Sequence, residues 1–306
     1  MDSFKLSIVI TCHNDGKYIK QCIESIISQT NGKIEVICVD DASTDNSRIL
    51  LHSYEPTITL KYFQENIGLS LARNAAIKIA HGEYIMFVDG DDFIASDTLE
   101  RILLAISGKK FDVVFGLMEV FKDTSDVADR WNDPIIEDSS IFENKSDGEI
   151  LTNIHKMKLK IAPVQKYILR KQFILNNNLW FEDVLHEDQL WTPKMLCSAQ
   201  GIGFLNTKFY YHRIRKNSLG DRFDEEVCNS YFSTCEKLLA FAINIVDNDK
   251  AMFLRERCKY LLQKINYRIN EWDIERRKNF LYKFKTTICN LHKKLNLEII
   301  GFEVLT

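Results

Sequence analysis

Over its first 116 residues the chain alternates short apolar runs with amphipathic stretches, and that alternation constrains the fold more than any other feature. Leu6–Thr11, Glu35–Asp40, Leu60–Gln64, Tyr84–Val88 and Asp112–Gly116 read as strands, most of them without a polar face. Between them, Tyr18–Gln29 sets Tyr18, Ile19, Cys22, Ile23, Ile26 and Ile27 at helical spacing. Further helices are expected from about Thr44, with Ser43 as cap, over Leu69–Ala80, ended by Gly82, and over Asp97–Ile106. Strands apolar on both sides must be covered on both faces, so the fold class is α/β, a mostly parallel sheet between helices. Right-handed crossovers then carry the strand C-termini to one edge, where ligands bind.

Beyond this half the pattern changes. Residues 120–150 are acidic and aperiodic and read as a loop; 151–220 are mixed, with strand-like Phe204 and Phe209–His212; from Asp224 the periodicity is helical. The expected organisation is a nucleotide-binding half (1–116), an acceptor and catalytic half (117–220) and a helical region (221–306). A chain of 306 residues buries a large core without staples. Its eight cysteines show neither a C-x-x-C pair nor zinc spacing, which points to reduced thiols. A net charge of −3 gives no pull toward nucleic acid. The N-terminus lacks a signal-peptide pattern, and no stretch approaches the roughly 20 apolar residues of a membrane span. A cytoplasmic protein is expected, at most attached to the inner face of the cytoplasmic membrane.

Polar residues stand at the ends of the predicted strands: Thr11-Cys12-His13-Asn14, Asp40-Asp41, Glu65-Asn66 and Asp89-Gly90-Asp91-Asp92. Asp89 and Asp91, just past a buried strand, can share a divalent ion that bridges two phosphates, and Gly90 lets the backbone approach the ligand. Asp247-Asn248-Asp249 repeats the spacing with no strand before it, and a turn with solvated acids would give the same pattern at either place. Asp40 can accept from a base or ribose hydroxyl, whereas Ser43 and Asp45 suit helix capping. A Gly-x-Gly-x-x-Gly turn and a P-loop are both missing, which argues against a dinucleotide-binding oxidoreductase and leaves phosphate charge to a metal and to arginines.

The order SIVITCHND, VDDASTDNS, Asn66-Ile67-Gly68-Leu69-Ser70-Leu71-Ala72-Arg73-Asn74 and YIMFVDGDD resembles the family-two glycosyltransferases of GT-A fold. His186-Glu187-Asp188-Gln189-Leu190-Trp191 is similar to the family's Glu-Asp motif, and Tyr210–Ser218 to its phosphate-binding segment. The resemblance implies an inverting, Mn²⁺- or Mg²⁺-dependent transfer of a sugar, first of all from a UDP donor, to a hydroxyl of a glycan or lipid-linked acceptor in a bacterial surface glycan such as capsule or lipopolysaccharide. By the same resemblance Thr11, Asn14, Asp40, Asn66, Arg73, Asp89 and Gly90 hold the nucleotide, Asp91 the metal, and Asp188 is the base. Arg213 and Arg215, with Lys216 and Ser218, offer forks and a hydroxyl for phosphate. His212 is a second candidate metal ligand, or a packed residue beside two tyrosines. His186, Glu187 and Trp191 would border the sugar, Trp191 as an aromatic wall, and Asp92 would reach the acceptor.

Two other readings compete: a catalytically weak sugar-nucleotide-binding module, and a sugar nucleotidyltransferase, although CHNDGKY has a single glycine where the latter needs a glycine-rich loop. Residues 276–297 carry seven Lys/Arg and no acid, with Phe280, Phe284, Ile288, Leu291 and Leu295 along one helical face. That pattern fits a helix lying on an anionic membrane, a core-packed helix with a basic face, or a contact in a homo-oligomer.

Overall fold

The computed structural model describes residues 4–108, 110–122, 132–134, 136–215 and 222–296. In chain order the elements are β1 (Leu6–Cys12), α1 (Ile19–Ile27), β2 (Ile34–Asp41), α2 (Ser47–His52), β3 (Thr59–Phe63), α3 (Leu69–Ile79), β4 (Tyr84–Asp89), β5 (Phe93–Ile94) and α4 (Thr98–Ser107). There follow β6 (Val113–Lys122), α5 (Asp147–Lys156), β7 (Tyr167–Arg170), α6 (Lys171–Asn176), α7 (Asp188–Ser198), β8 (Ile202–Ile214), α8 (Glu225–Ala242), α9 (Asn248–Ile269) and α10 (Ile274–Leu295). One sheet runs β3-β2-β1-β4-β7-β6-β8-β5. Its pairs are parallel except where β7 lies antiparallel between β4 and β6 and β5 antiparallel to β8.

The apolar runs are strands because both faces are buried. Ile8, Ile10, Cys38, Met86 and Val88 face α1 and α4, while Val9, Val39, Ile85 and Phe87 face α3 and the C-terminal helices. This matches the α/β expectation. The helix after β2 begins three residues later than expected. The Ser43 hydroxyl accepts from the Asn14 N–H (3.0 Å) instead of capping, and Asp45 takes the Ser47 N–H (2.9 Å). Two elements also enter the span expected to be a loop: β6 runs to Lys122, and α5 begins with a reciprocal Ser146–Glu149 capping box.

The helical region is capped by acids: Asp224 accepts from Val227 N–H, Asp247 from Asp249 and Lys250, and Asp273 from Arg276. The second Asp-x-Asp is therefore a helix start. On α10 the faces of Phe280, Ile288, Leu291 and Leu295 are buried in the core shared with the sheet, and Phe284 packs against Phe232. The apolar stripe from Phe280 to Leu295 is packed within the protein itself, which is the core-packed form of this helix and leaves its basic face outward. Among the described residues no helix is long and apolar enough to cross a membrane.

Candidate functional site

At the C-terminal ends of β1, β2 and β4 the chain turns into loops held by side chains. The Asp41 carboxylate accepts from Ile67 N–H (2.7 Å) and Gly68 N–H (2.9 Å), and Gly68 takes a left-handed φ of 83° that only glycine adopts freely. That turn aims α3 so that Arg73 comes up beneath the strand ends. Arg73 is fully buried; it donates to Asp89 Oδ1 (3.0 Å) and, by a short bond, to Glu187, and its guanidinium lies against Phe181. Two carboxylates from distant parts of the chain thus share one buried cation.

Asp89 also receives Thr11 Oγ1 (3.4 Å) and the Gln165 amide. Next to it, Gly90 passes so near β1 that an added Cβ would stand 2.7 Å from Asp15 Oδ2 and 3.1 Å from Thr11 O. Asp91 pairs with Arg215 Nε (2.8 Å), and Arg215 also reaches Asp15 (3.2 Å). Burial, then Asp92 and Asp89, push the Asp91 carboxyl up to about 8, against the pull of Arg215. Asp15 is raised for the same first reason, its burial. Such a crowd of carboxylates with one flexible arginine has room for more positive charge.

Asp92 is a tie beam and not an acceptor contact. Its side chain is sealed from solvent and takes Tyr210 OH (2.6 Å), His212 Nδ1 (3.0 Å) and Arg213 N–H (2.7 Å), and Tyr210 in turn receives the Asp89 N–H (3.1 Å). Arg213 corrects the phosphate-binding expectation: it is buried between the rings of Tyr18 and Phe121, with Nε on Asp91 O (2.8 Å) and Nη2 on Gln21 (2.6 Å). Burial lowers His212's proton affinity, but Asp92 outweighs it and the net shift is upward. Lys216 and Ser218 lie outside the described residues.

At the end of β2 Asp40 is fully buried, bonded to Arg48 Nε (2.8 Å) and Ser43 N–H (3.2 Å), so it holds the loop and its carboxylate is not open to a ligand. Asn14, with φ 57°, clamps the same loop, its Oδ1 accepting from Thr44 N–H (2.8 Å). Asn66 is open and lies 3.2 Å from His13 Nδ1.

Glu187 and Asp188 stand where α7 begins, after His186, whose φ of 54° swings the chain so that the two acids diverge. Glu187 turns inward to Arg73; burial raises its pKa and Arg73 opposes the rise. Asp188 turns to a cleft of about 510 Å³, shared with Arg73, Asp89, Gln165, Asp183 and His186, and among the described residues its hydrogen-bond partner is the Gln189 amide (3.3 Å). His186 rests by the Tyr231 ring (5.5 Å), and its pKa is lowered by burial. Trp191 does not form the expected wall. It is buried, stacked on Phe181 at 4.2 Å, with its N–H on Leu179 O (3.1 Å). Gln165 was missed by sequence reasoning, and Asp15 and Tyr210 stood inside quoted motifs with no role of their own. Asp15 carried a signal in its place after β1 and Tyr210 in its place at the head of Tyr210–Ser218, whereas Gln165 carried none.

The comparisons with known proteins agree with this architecture. Residues 7–171 match the model of glycosyl transferase family 2. The chain is 30% identical to glycosyltransferase GlyG of Streptococcus pneumoniae over 224 residues, 70% of this chain and 72% of GlyG. It is 29% identical to the poly(ribitol-phosphate) beta-glucosyltransferase of Bacillus spizizenii over 92% of this chain, which spans only 42% of that protein. Its fold is similar to that of S. aureus TarS 1-349, solved in complex with UDP-GlcNAc, with a TM-score of 0.75 at 22% identity, covering 96% of this chain and 83% of the other. The GT-A-like sheet, the strand-end loops and a family match over more than half the chain lead to one conclusion: the protein belongs to glycosyl transferase family 2.

Proposed function

We propose that the chain is an inverting glycosyltransferase that moves a sugar from a UDP donor to a hydroxyl of a bacterial surface glycan or its lipid-linked precursor. One observation carries the reading. Of the two adjacent acids, Glu187 is consumed by buried Arg73, while Asp188 faces the cleft with no cation bonded to it among the described residues. A carboxylate within hydrogen-bond reach of an acceptor hydroxyl can take its proton as the oxygen attacks the anomeric carbon, which needs only one in-line displacement. Thr11, Asn66, Arg73 and Asp89 would border the nucleotide, with Asp40, Asn14 and Gly90 shaping the loops around it. The UDP donor is supported by the TarS likeness and the glycan acceptor by the likeness to the poly(ribitol-phosphate) beta-glucosyltransferase.

The donor set beside the diphosphate fits a hard divalent cation, Mn²⁺ or Mg²⁺, with Asp91 and His212 as ligands. Asp92 fixes the His212 ring through Nδ1, as carboxylates do for metal-binding histidines, and the crowded Asp91 carboxyl is relieved by added positive charge. Among the described residues no three such side chains converge, so the remaining ligands would be phosphate oxygens and water. When bound, the ion neutralises charge on the departing diphosphate. Arg215, already against Asp91, is placed to meet the same oxygens.

The test pairs two variants, with UDP-GlcNAc as the first donor tried. Asp188→Asn keeps the donor-induced thermal shift and lowers turnover by about 10² or more, the usual worth of a positioned base. Asp91→Ala loses the metal-dependent part of that shift. If Asp188→Asn turns over like wild type, another base must be found. If the wild type binds UDP-sugars yet never cleaves them with Mn²⁺, the binding-module reading takes over.

A further inference from the structure

The basic stretch within α10 has no part in the site described above, and the structure separates its two faces. Phe280, Ile288, Leu291 and Leu295 turn into the core, so what the helix shows to solvent is charge: Arg276, Lys278, Lys283, Lys285, Lys293 and Lys294 are all exposed. Asn279, Thr286 and Asn290 lie between them, and Tyr282 stands out at 84% exposure. From Arg276 to Leu295 there is no acid, in a chain that is slightly acidic as a whole. Arg255 of α9 extends the patch at its far end, donating to the Lys294 carbonyl (3.3 Å). Lys293 and Lys294 complement the negative end of the helix dipole. Arg276 and Lys278 do not, because they stand near the N-terminal end, where a cation is unfavourable. Helix stability therefore does not account for them.

We propose that the outward face of α10 binds the anionic surface of a lipid bilayer and holds the protein against it without inserting a segment. The helix has 22 residues. It is therefore about 33 Å long and lays its cations along one ridge that a plane of headgroups can meet at several points together. Each cation that reaches such a surface strengthens binding about fivefold, and the Tyr282 ring suits the headgroup boundary. Because the apolar stripe is used in the core, the contact is electrostatic, reversible and weakened by salt. The face also borders the cleft. Lys283 pairs with Glu225 (2.8 Å), Arg276 lies over the Trp272 ring (4.0 Å), and Trp272 packs by Phe223 (6.4 Å). Phe223 and Glu225 belong to the segment 222–226, whose Arg222 and Glu226 line the cleft. A bilayer against α10 thus comes near that rim, where it would present a lipid-linked acceptor. This last consequence, unlike the binding itself, rests on the transferase reading.

The experiment pellets the full chain with vesicles, either of phosphatidylcholine alone or of equal parts phosphatidylcholine and phosphatidylglycerol, over a range of salt. Wild type is expected to pellet with the anionic vesicles and not with the neutral ones, and to be released as salt shortens the reach of the charges. A Lys278→Gln/Lys293→Gln/Lys294→Gln variant changes only exposed side chains, so it should melt as wild type does and keep the same UDP-dependent thermal shift. Its affinity for anionic vesicles should nevertheless fall at least about thirtyfold, the effect of two or more cations at about fivefold each. Equal pelleting on both lipids, or no loss in the folded triple variant, overturns the proposal. So does tighter binding of a single-stranded RNA oligonucleotide than of the vesicles through the same lysines, which would make the face a nucleic-acid site. Asp188→Asn should pellet as wild type does, so the membrane contact and the assignment of the base stand or fall separately.

Discussion

Arg73 is the residue on which most of the site depends. It holds Asp89 at the end of β4 and Glu187 before α7 while itself almost fully buried. Removing the cation strands two carboxylates in a place where neither is solvated. Arg73→Met is therefore expected to cost about 3–5 kcal/mol in urea unfolding, the range for breaking one partner out of a buried pair. A loss under about 1 kcal/mol would show that water reaches the carboxylates freely. At this scale the sequence was informative where a residue type follows a strand, as with Asp89, Asp91 and Asn66. It was mute on Gln165 and on the tie that Tyr210 makes to Asp89, because the partners lie far away in the chain. It misled on Trp191. Helix α7 is buried nearly all round, so no amphipathic pattern shows which face an aromatic takes.

Lys264 brings the elements into view, because α9 carries it against α8 in a place that disfavours its charge. Its folded pKa, about 8, lies below the ordinary lysine value, so the unfolded chain binds the proton more tightly. The penalty is complete below pH 8 and fades as pH rises from 8 toward the ordinary value of about 10.4. Lys264→Met should be more stable than wild type by about 2 kcal/mol at pH 7, after allowance for the lost bond to Tyr231 and for partial exposure, with the advantage shrinking over that window. An advantage independent of pH would assign the effect to packing instead. Element boundaries were legible where burial is two-sided, as in β1, β2 and β4. Strand β8 was seen only in pieces, since Asn206, Thr207 and Lys208 interrupt its apolar run and a bulge shifts its register against β6. Helix α5 was not expected, since residues up to 150 read as a loop and its Ser146–Glu149 capping box was not read.

For the whole molecule, the decisive fact is that α8, α9 and α10 share one core with α3, β4 and α7. Although residues 221–306 read as a separate helical region, the described part of them has no interior of its own. Calorimetry should show a single transition, raised by UDP and Mn²⁺ together. A ligand at about 100 times its Kd adds about 2.7 kcal/mol to the entire fold. Two resolved transitions, with only the first moved by nucleotide, would mean that the helices fold independently of the sheet.

Finally, the Arg73 clamp bears on how fast a donor arrives. Because Asp89 and Glu187 are bolted to the same cation before any ligand enters, the spacing between the two sides of the cleft is preset. A preset cleft needs no closing step to bring these side chains together. In stopped-flow mixing, the observed rate of UDP-sugar association should rise linearly with concentration. A plateau at high donor would reveal a slow rearrangement that the clamp was expected to make unnecessary.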